Sequence, residues 1–418
     1  MKVYNTNINV YEASKIRIKE QINSFPDFYV SFSGGKDSGV LINLVIECAT
    51  ELNRLPVKCV FSDLEAIFME TERYVKSIME NPKVDPYWLC IEELDDNASS
   101  VYERYFKIWD SQKKDSWIRE MPSMPYVINM NNIDPLFKKY IDGSLENWSI
   151  ECFGEYLCDK LNIDSICNFI GMRADESYGR HMTIATQKHR NKKNQYTYLT
   201  KNEAKRTWTC LPIYDWETSD IWHYYSINNL DYNRVYDSMF KYGLSLSQMR
   251  TCSALGEEQK KSLYLWKIIE PDTFDKMINR VQGVNFGANY NHTNLNRGKV
   301  VKPKNITWKQ YLEILLNELP NEVRENFQEK FNIVYTYHRR EYCDKLGYEF
   351  DFISCDSRSE SKEKSKKYNI PIKVFFSYET LCGAIIKRDF VFKKYGFGYS
   401  NKMSDRIKSI QQKWNQEL

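Results

Sequence analysis

The chain has 418 residues, 42% of them hydrophobic and 28% charged, with a formal net charge of +3 at pH 7. That length exceeds one ordinary core at roughly 100–200 residues per domain and predicts two or three units, while the small net charge does not by itself imply a polyanionic partner. No stretch approaches the roughly 18 uninterrupted apolar residues of a membrane span. The eleven cysteines are scattered, without the close pairs that nucleate zinc or iron–sulfur sites. With no signal peptide in view, they predict a cytoplasmic protein of reduced thiols and argue against an iron–sulfur cluster.

The aromatic and β-branched run Phe28-Tyr29-Val30-Ser31-Phe32 reads as a buried strand, and Val40, Leu41, Leu44 and Val45 recur at helical spacing. Between them lies Ser33-Gly34-Gly35-Lys36-Asp37-Ser38. Two glycines allow a sharp turn that aims backbone N–H groups at an anion, and a helix N-terminus adds a favourable dipole. Lys36 supplies a point charge for a phosphate, the serines supply hydroxyls, and Asp37 is a candidate ligand for Mg²⁺, a cation that prefers carboxylate and phosphate oxygens. The spacing is not that of a Walker A loop, because the residues between its first glycine and its Gly-Lys pair are missing.

A second strand is expected over 57–62, ending at Asp63 and Glu65, then a helix carrying Met69, Val75, Ile78 and Met79, and a third strand at Trp88–Ile91 closing at Glu92. Residues 94–145 are polar and irregular, with prolines at 122 and 125, and are expected to form an insertion or lid. Regular structure resumes as a helix over 149–163 and a strand over Ile166–Ile170. This alternation predicts an α/β fold, an open and mostly parallel sheet with helices on both faces.

The strand closes on Gly171-Met172-Arg173-Ala174-Asp175-Glu176-Ser177-Tyr178-Gly179-Arg180. Arg173 and Arg180 bracket a turn at the carboxyl end of a strand, where ligands of such sheets lie, and their forked donors suit a phosphate or sulfate oxyanion. A solvated loop with an internal Arg173–Glu176 contact is the alternative. Further on, a short strand is expected to reach Asp215, with Thr218 or Ser219 capping a helix through Ile221, Trp222 and Tyr225. Asp215 is a candidate catalytic residue there, beside an equally simple turn-capping role. Trp216 and Trp222 read as packing residues.

The basic stretch 188–206, with Lys188, Arg190, Lys192, Lys193, Lys201, Lys205 and Arg206 around Tyr196 and Tyr198, is either a single-stranded nucleic-acid path or a solvated loop over the anion site. From about residue 251 the pattern changes, giving two domains: 1–250, which carries the anion-binding turn, and 251–418, mainly helical α+β and of unknown role. Helices are expected around 264–269 and over 307–319, an exposed loop over 354–369, a strand over 371–378 and a weak closing helix from about 404.

Taken together, the strings at 33–38, 171–180 and 211–222 resemble the phosphoadenosine phosphosulfate reductase family of the PP-loop nucleotide alpha-hydrolases. Asn9-Val10-Tyr11-Glu12-Ala13, Met249-Arg250-Thr251-Cys252 and the Gly283–Asn289 string resemble one branch of it, which carries an uncharacterised C-terminal domain. Some members of that branch are described as co-activators acting with a ParB-like partner.

The resemblance implies that Ser31, Ser33, Gly34, Gly35, Lys36, Asp37, Ser38, Asp63, Gly171, Arg173 and Arg180 bind ATP or a related adenine nucleotide. It implies Lys36, Asp37 and Arg173 as catalytic groups. The sequence departs from the reductases in lacking a cysteine within Glu-Cys-Gly-Leu-His; its last cysteine, Cys382, stands in Leu381-Cys382-Gly383-Ala384. Three functions remain open. One is Mg²⁺-dependent ATP α–β hydrolysis or adenylyl transfer. A second is nucleotide sensing in a regulatory or defence protein with a ParB-like or DNA partner. The third is sulfonucleotide chemistry through an atypical thiol, for which Cys252 is the candidate.

Overall fold

The computed structural model describes residues 8–100, 103, 105–141, 148–177, 180–181, 198–201, 205–246, 248–251, 253–256, 262–290, 300–340, 355–370, 372–387 and 389. Its strands are β1 (Asp27–Ser31), β2 (Val57–Ser62), β3 (Val84–Cys90), β4 (Glu93–Asp96), β5 (Tyr105–Ile108), β6 (Val127–Asn129), β7 (Ile166–Ile170), β8 (Leu199–Lys201) and β9 (Thr207–Cys210). Seven of them form one sheet in the order β6-β3-β2-β1-β7-β9-β8, and β4 pairs with β5 separately. Every pairing in the large sheet is parallel except β8 against β9. This is the open α/β sheet expected from the sequence.

The chain divides into two compact units, Met1–Asp95 with Lys107–Ala254, and Asp96–Phe106 with Leu255–Leu418. The first contains the sheet and α1 (Val10–Ser24), α2 (Lys36–Glu51), α3 (Met69–Met79), α4 (Pro135–Lys138), α5 (Ser149–Leu161), α6 (Thr218–Ile227) and α7 (Val235–Lys241). Successive strand side chains point to opposite faces. Tyr29, Val60 and Ile166 therefore share one face with Phe153, Tyr156 and Leu157 of α5, while α2 runs against β1, β2 and β7. Part of the expected 94–145 insertion is core: β6 is an edge strand on β3, and Ile133 and Phe137 join the cluster under α5. Its prolines and polar residues masked a strand only three residues long.

From residue 255 onward the described elements of the second unit are helices: α8 (Tyr264–Ile269), α9 (Pro271–Arg280), α10 (Val284–Tyr290), α11 (Trp308–Glu318), α12 (Asn321–His338), α13 (Arg358–Tyr368) and α14 (Tyr378–Ile386). Trp308, Leu312, Phe327, Phe331, Leu381 and Ile385 make its main core. The expected loop over 354–369 is largely the helix α13, whose only buried residue is Ser361. Caps, not an apolar stripe, define it: Ser357 Oγ accepts the Glu360 N–H at 3.4 Å, and Asn369 ends it in the left-handed region. The expected strand over 371–378 is a 3-10 turn at Ile372–Val374 followed by the start of α14. Val374 and Phe375 are buried with Cys355 and Ile370, and a short apolar run does not distinguish a strand from a buried turn. The expected helix from about 404 lies outside the described residues.

Candidate functional site

β1 is flanked by β2 on one side and β7 on the other, with Ser31 opposite Ile170. The chain leaves β1 toward one half of the sheet and enters the other half through β7. Their carboxyl ends therefore bound the switch-point crevice where open α/β sheets take ligands. Residues 33–38 follow β1 and Gly171–Arg173 follow β7, so the fold brings the first two sequence strings together.

The loop is held closely. Gly34 has φ +69°, and a Cβ there would stand 2.8 Å from Thr71 Cγ2 and 2.9 Å from Val75 Cγ2, so both its conformation and its packing require glycine. At Gly171 a Cβ would meet Ser38 N and Cα at 3.0 Å, so the end of β7 rests directly on the first turn of α2. Ser33 and Ser38 share a hydroxyl bond of 2.9 Å, and Ser38 Oγ also donates to Gly35 O at 3.1 Å. Asn233 Nδ2 donates to Gly34 O, and Tyr225 donates to Lys36 O, both at 2.8 Å.

Lys36 and Arg173 are buried and meet at Asp37: Arg173 Nε donates to Oδ1 at 2.6 Å and Lys36 Nζ stands 3.1 Å from Oδ2. Arg173 also reaches Trp216 O at 3.3 Å and Thr218 Oγ1 at 3.4 Å, and the exposed Asp175 lies 3.5 Å from its Nη1. Burial pushes the Lys36 ammonium below its ordinary pKa; Asp37 opposes that shift, and Arg173 and Arg250 add to it. Holding this lysine out of water costs several kcal/mol. Val40, Leu41, Ile42, Leu44, Val45 and Ile46 of the same helix are buried at about 1.5–3 kcal/mol each, which outweighs that cost.

These features fit a phosphate group: excess buried cation, first-turn N–H groups of a helix and two glycines where backbone must come close. They do not fit a protein-held Mg²⁺ on Asp37, because both carboxylate oxygens are engaged by cations. Among the described residues no three His, Cys, Asp or Glu side chains group as they would around a metal.

Other expected site residues fall elsewhere. Ser31 gives its hydroxyl to Asn168 at 2.9 Å, within the sheet. Asp63 is fully buried; Oδ1 accepts the Glu65 N–H at 3.0 Å, and Oδ2 accepts Trp88 Nε1 at 2.8 Å and pairs with Arg119. It ties the end of β2 to the 107–119 segment. Asp215 is not among the loop's partners. The strand before it stops at Cys210, and its carboxylate binds Arg17 through 2.8 and 2.7 Å bonds while Arg17 Nη1 also donates to Pro212 O at 2.7 Å. Asp215 thereby clamps α1 to the turn after β9, and Trp216 adds a 2.8 Å bond to Ser14 on the same helix.

Arg180 pairs with Glu176, whose other oxygen accepts the Arg173 N–H at 3.1 Å. The Arg173–Glu176 contact of the alternative reading is present, but through the Arg173 backbone N–H. In the basic stretch, 188, 190, 192, 193 and 196 lie outside the described residues. Arg206 pairs with Glu155 and, at 2.7 Å, Asp159, and Tyr198 OH bonds Glu20. Cys252 also lies outside the described residues. The nine described cysteines are buried, and burial raises the thiols of Cys48, Cys59, Cys90, Cys210 and Cys382, the opposite of what thiolate attack requires. Tyr225, Asn233, Tyr236 and Thr251, none of them a site residue by sequence, surround the loop from a region 189 to 216 residues later; Tyr225 reads there as helix packing and Thr251 enters only through the Met249–Cys252 resemblance.

Residues 27–243 match the family described as Phosphoadenosine phosphosulfate reductase domain, and residues 243–347 match Domain of unknown function (DUF3440). The chain is similar to Uncharacterized protein YbdN of Escherichia coli (strain K12), with 29% identity over 97% of this chain and 96% of that protein. Among solved structures it is similar to FMN adenylyltransferase of Candida glabrata, at TM-score 0.33 and 16% identity over 54% of this chain and 57% of that one. It is also similar to phosphoadenylyl-sulfate reductase from Candida auris in a phosphate complex, at TM-score 0.29 and 13% identity over 57% of this chain and 93% of that one. No helix among the described residues is long and apolar enough to cross a membrane.

Proposed function

The chain belongs to the phosphoadenosine phosphosulfate reductase family and carries a DUF3440 region after that domain; from that membership we propose that it binds ATP and cleaves or transfers at the α–β linkage. The observation that carries this is the pair of buried cations, Lys36 and Arg173, sharing one carboxylate beside the Gly34-Gly35 turn. An oxygen nucleophile attacks the α-phosphorus, the bond to the α–β bridging oxygen breaks, and pyrophosphate leaves with the electron pair. Lys36 and the first-turn N–H groups of α2 take up the charge on the leaving pyrophosphate, an array of fixed donors needing little reorganisation. Arg173, whose bonds to Trp216 and Thr218 are long, turns part of its fork to the α-phosphate. Asp37 positions both cations. Mg²⁺, where the reaction uses it, would enter on the nucleotide's own phosphate oxygens and neutralise their charge.

Phosphorus NMR of ATP incubated with the protein and Mg²⁺ tests this. AMP and pyrophosphate are expected; ADP with phosphate, or unchanged ATP that the protein does not bind, would overturn it. A second reading, nucleotide sensing coupled to a ParB-like or DNA partner, is favoured by one observation: protein groups already sit on the Lys36 donors. Partner binding that differs with and without ATP supports this reading, and equal binding removes it.

A further inference from the structure

Lys36 is the first residue of α2, and its N–H is one of the donors that a helix leaves without an internal acceptor. That N–H donates to the Tyr236 hydroxyl at 3.1 Å. The phenol is well braced. Its ring is buried against Trp222, edge-on at 5.7 Å, and its oxygen lies 3.2 Å from Thr251 Oγ1. Both hydroxyls press on the glycine turn, for a Cβ on Gly35 would stand 3.0 Å from Thr251 Oγ1 and 3.3 Å from Tyr236 OH.

The neighbouring backbone behaves in the same way. Lys36 Nζ donates to Met249 O at 3.2 Å, Arg250 donates to the Glu176 carbonyl, and Ser253 donates to Asp95 at 2.6 Å. Within the first unit, Met249 and Thr251 thus lie against Lys36 and Gly35. A lysine ammonium has three protons and can add a phosphate without losing Met249. A backbone N–H has one, so a phosphate oxygen can bind it only if the phenol leaves.

We propose that Tyr236, braced by Thr251, is a built-in competitor that holds the Lys36 N–H in the free protein and yields it to the polyphosphate of an adenine nucleotide. This rests on the nucleotide reading above. Burial raises the Tyr236 phenol, so it is a neutral acceptor at pH 7. A phosphate oxygen is charged and forms the stronger bond, which makes the exchange favourable while lowering the apparent affinity by the cost of freeing the N–H.

Titration calorimetry with ATP on the full chain, comparing wild type, Tyr236→Phe and Thr251→Val, tests the proposal. Tyr236→Phe removes the competing oxygen and keeps the ring, so its Kd is expected to fall about two- to tenfold, the worth of one ordinary hydrogen bond. Thr251→Val is expected to move Kd the same way by less. Wild type that binds ATP while Tyr236→Phe binds equally or more weakly overturns the competitor and leaves the nucleotide site standing. If neither binds, the nucleotide reading falls and the competitor with it. Should Tyr236→Phe not fold, Thr251→Val carries the sign: tighter binding supports the proposal, and equal or weaker binding overturns it.

Discussion

At Arg17 and Asp215 one guanidinium meets one carboxylate through bonds of 2.8 and 2.7 Å, and the donor left over reaches a backbone carbonyl. At the loop over 33–38 two buried cations, Lys36 and Arg173, divide the carboxylate of Asp37, and among the described residues the exposed Asp175 adds a further carboxylate 3.5 Å from the Arg173 guanidinium. Both clusters are buried in the same unit, and both use residues that a sequence reader would mark as functional. The balanced one is complete without a ligand. The unbalanced one leaves positive charge out of water, a cost that a fold has no structural reason to carry, and an arriving anion relieves it.

The comparison breaks first at Asp215. Asp215→Ala leaves Arg17 buried and alone, and thermal or urea unfolding should show a loss of about 3–5 kcal/mol, with ATP affinity of the folded protein unchanged. A loss of binding at preserved stability would move Asp215 into the site. Gly171→Ala forces a methyl group onto the backbone of Ser38 and Asp37, and overpacking of this kind costs about 1–3 kcal/mol. Because the strain falls on the loop itself, unfolding and ATP titration should both worsen; a purely structural contact would change only the first.

Lys36→Met sharpens the contrast from the other side. ATP affinity should fall at least tenfold, about 1.4 kcal/mol, while stability holds or rises, since a buried charge is removed. A surface cation, which is what the loop position alone suggests, would instead leave stability within about 0.5 kcal/mol. The pH dependence has a definite sign. The folded-state pKa lies below 10.5, so between the two values the unfolded chain holds a proton that the folded chain has lost, and stability rises with pH. Melting curves of the variant should lack that rise; an identical rise in both proteins would assign it to another group. Least of all, Asp175→Asn removes an exposed partner of Arg173. It should change stability by under about 1 kcal/mol and tighten ATP binding slightly, and weaker binding would count against an anion deficit.

The sheet and the loop were legible because their signals are local. Phe28, Tyr29, Val30 and Phe32 put four strand-favouring residues in one short run, and Gly34-Gly35-Lys36 has few uses between a strand and a helix. Arg173 was legible for the same reason, since it stands three residues past a clear strand end. The ion pair of Asp215 is not legible because its partner is 198 residues away on α1, and a carboxylate after an apolar run looks the same whether it faces a ligand or a buried arginine. The loop contacts of Tyr236 and Thr251 are not legible for the converse reason. Their contacts with the loop are set by tertiary packing that no spacing encodes. The helix α13 was hidden because its ends are fixed by Ser357 and Asn369 and it buries almost nothing, so periodicity was silent.

The bonds from Asn233 to the Gly34 carbonyl and from Tyr225 to the Lys36 carbonyl have a thermodynamic consequence. Ordering a free residue's backbone costs about 1–2 kcal/mol, and here the loop's carbonyls are fixed before any ligand arrives. Binding therefore sacrifices little chain entropy at 33–36. Asn233→Ala should leave the enthalpy of ATP association nearly unchanged and make its entropy less favourable, a rigidity built by distant side chains and read out in the heat of binding.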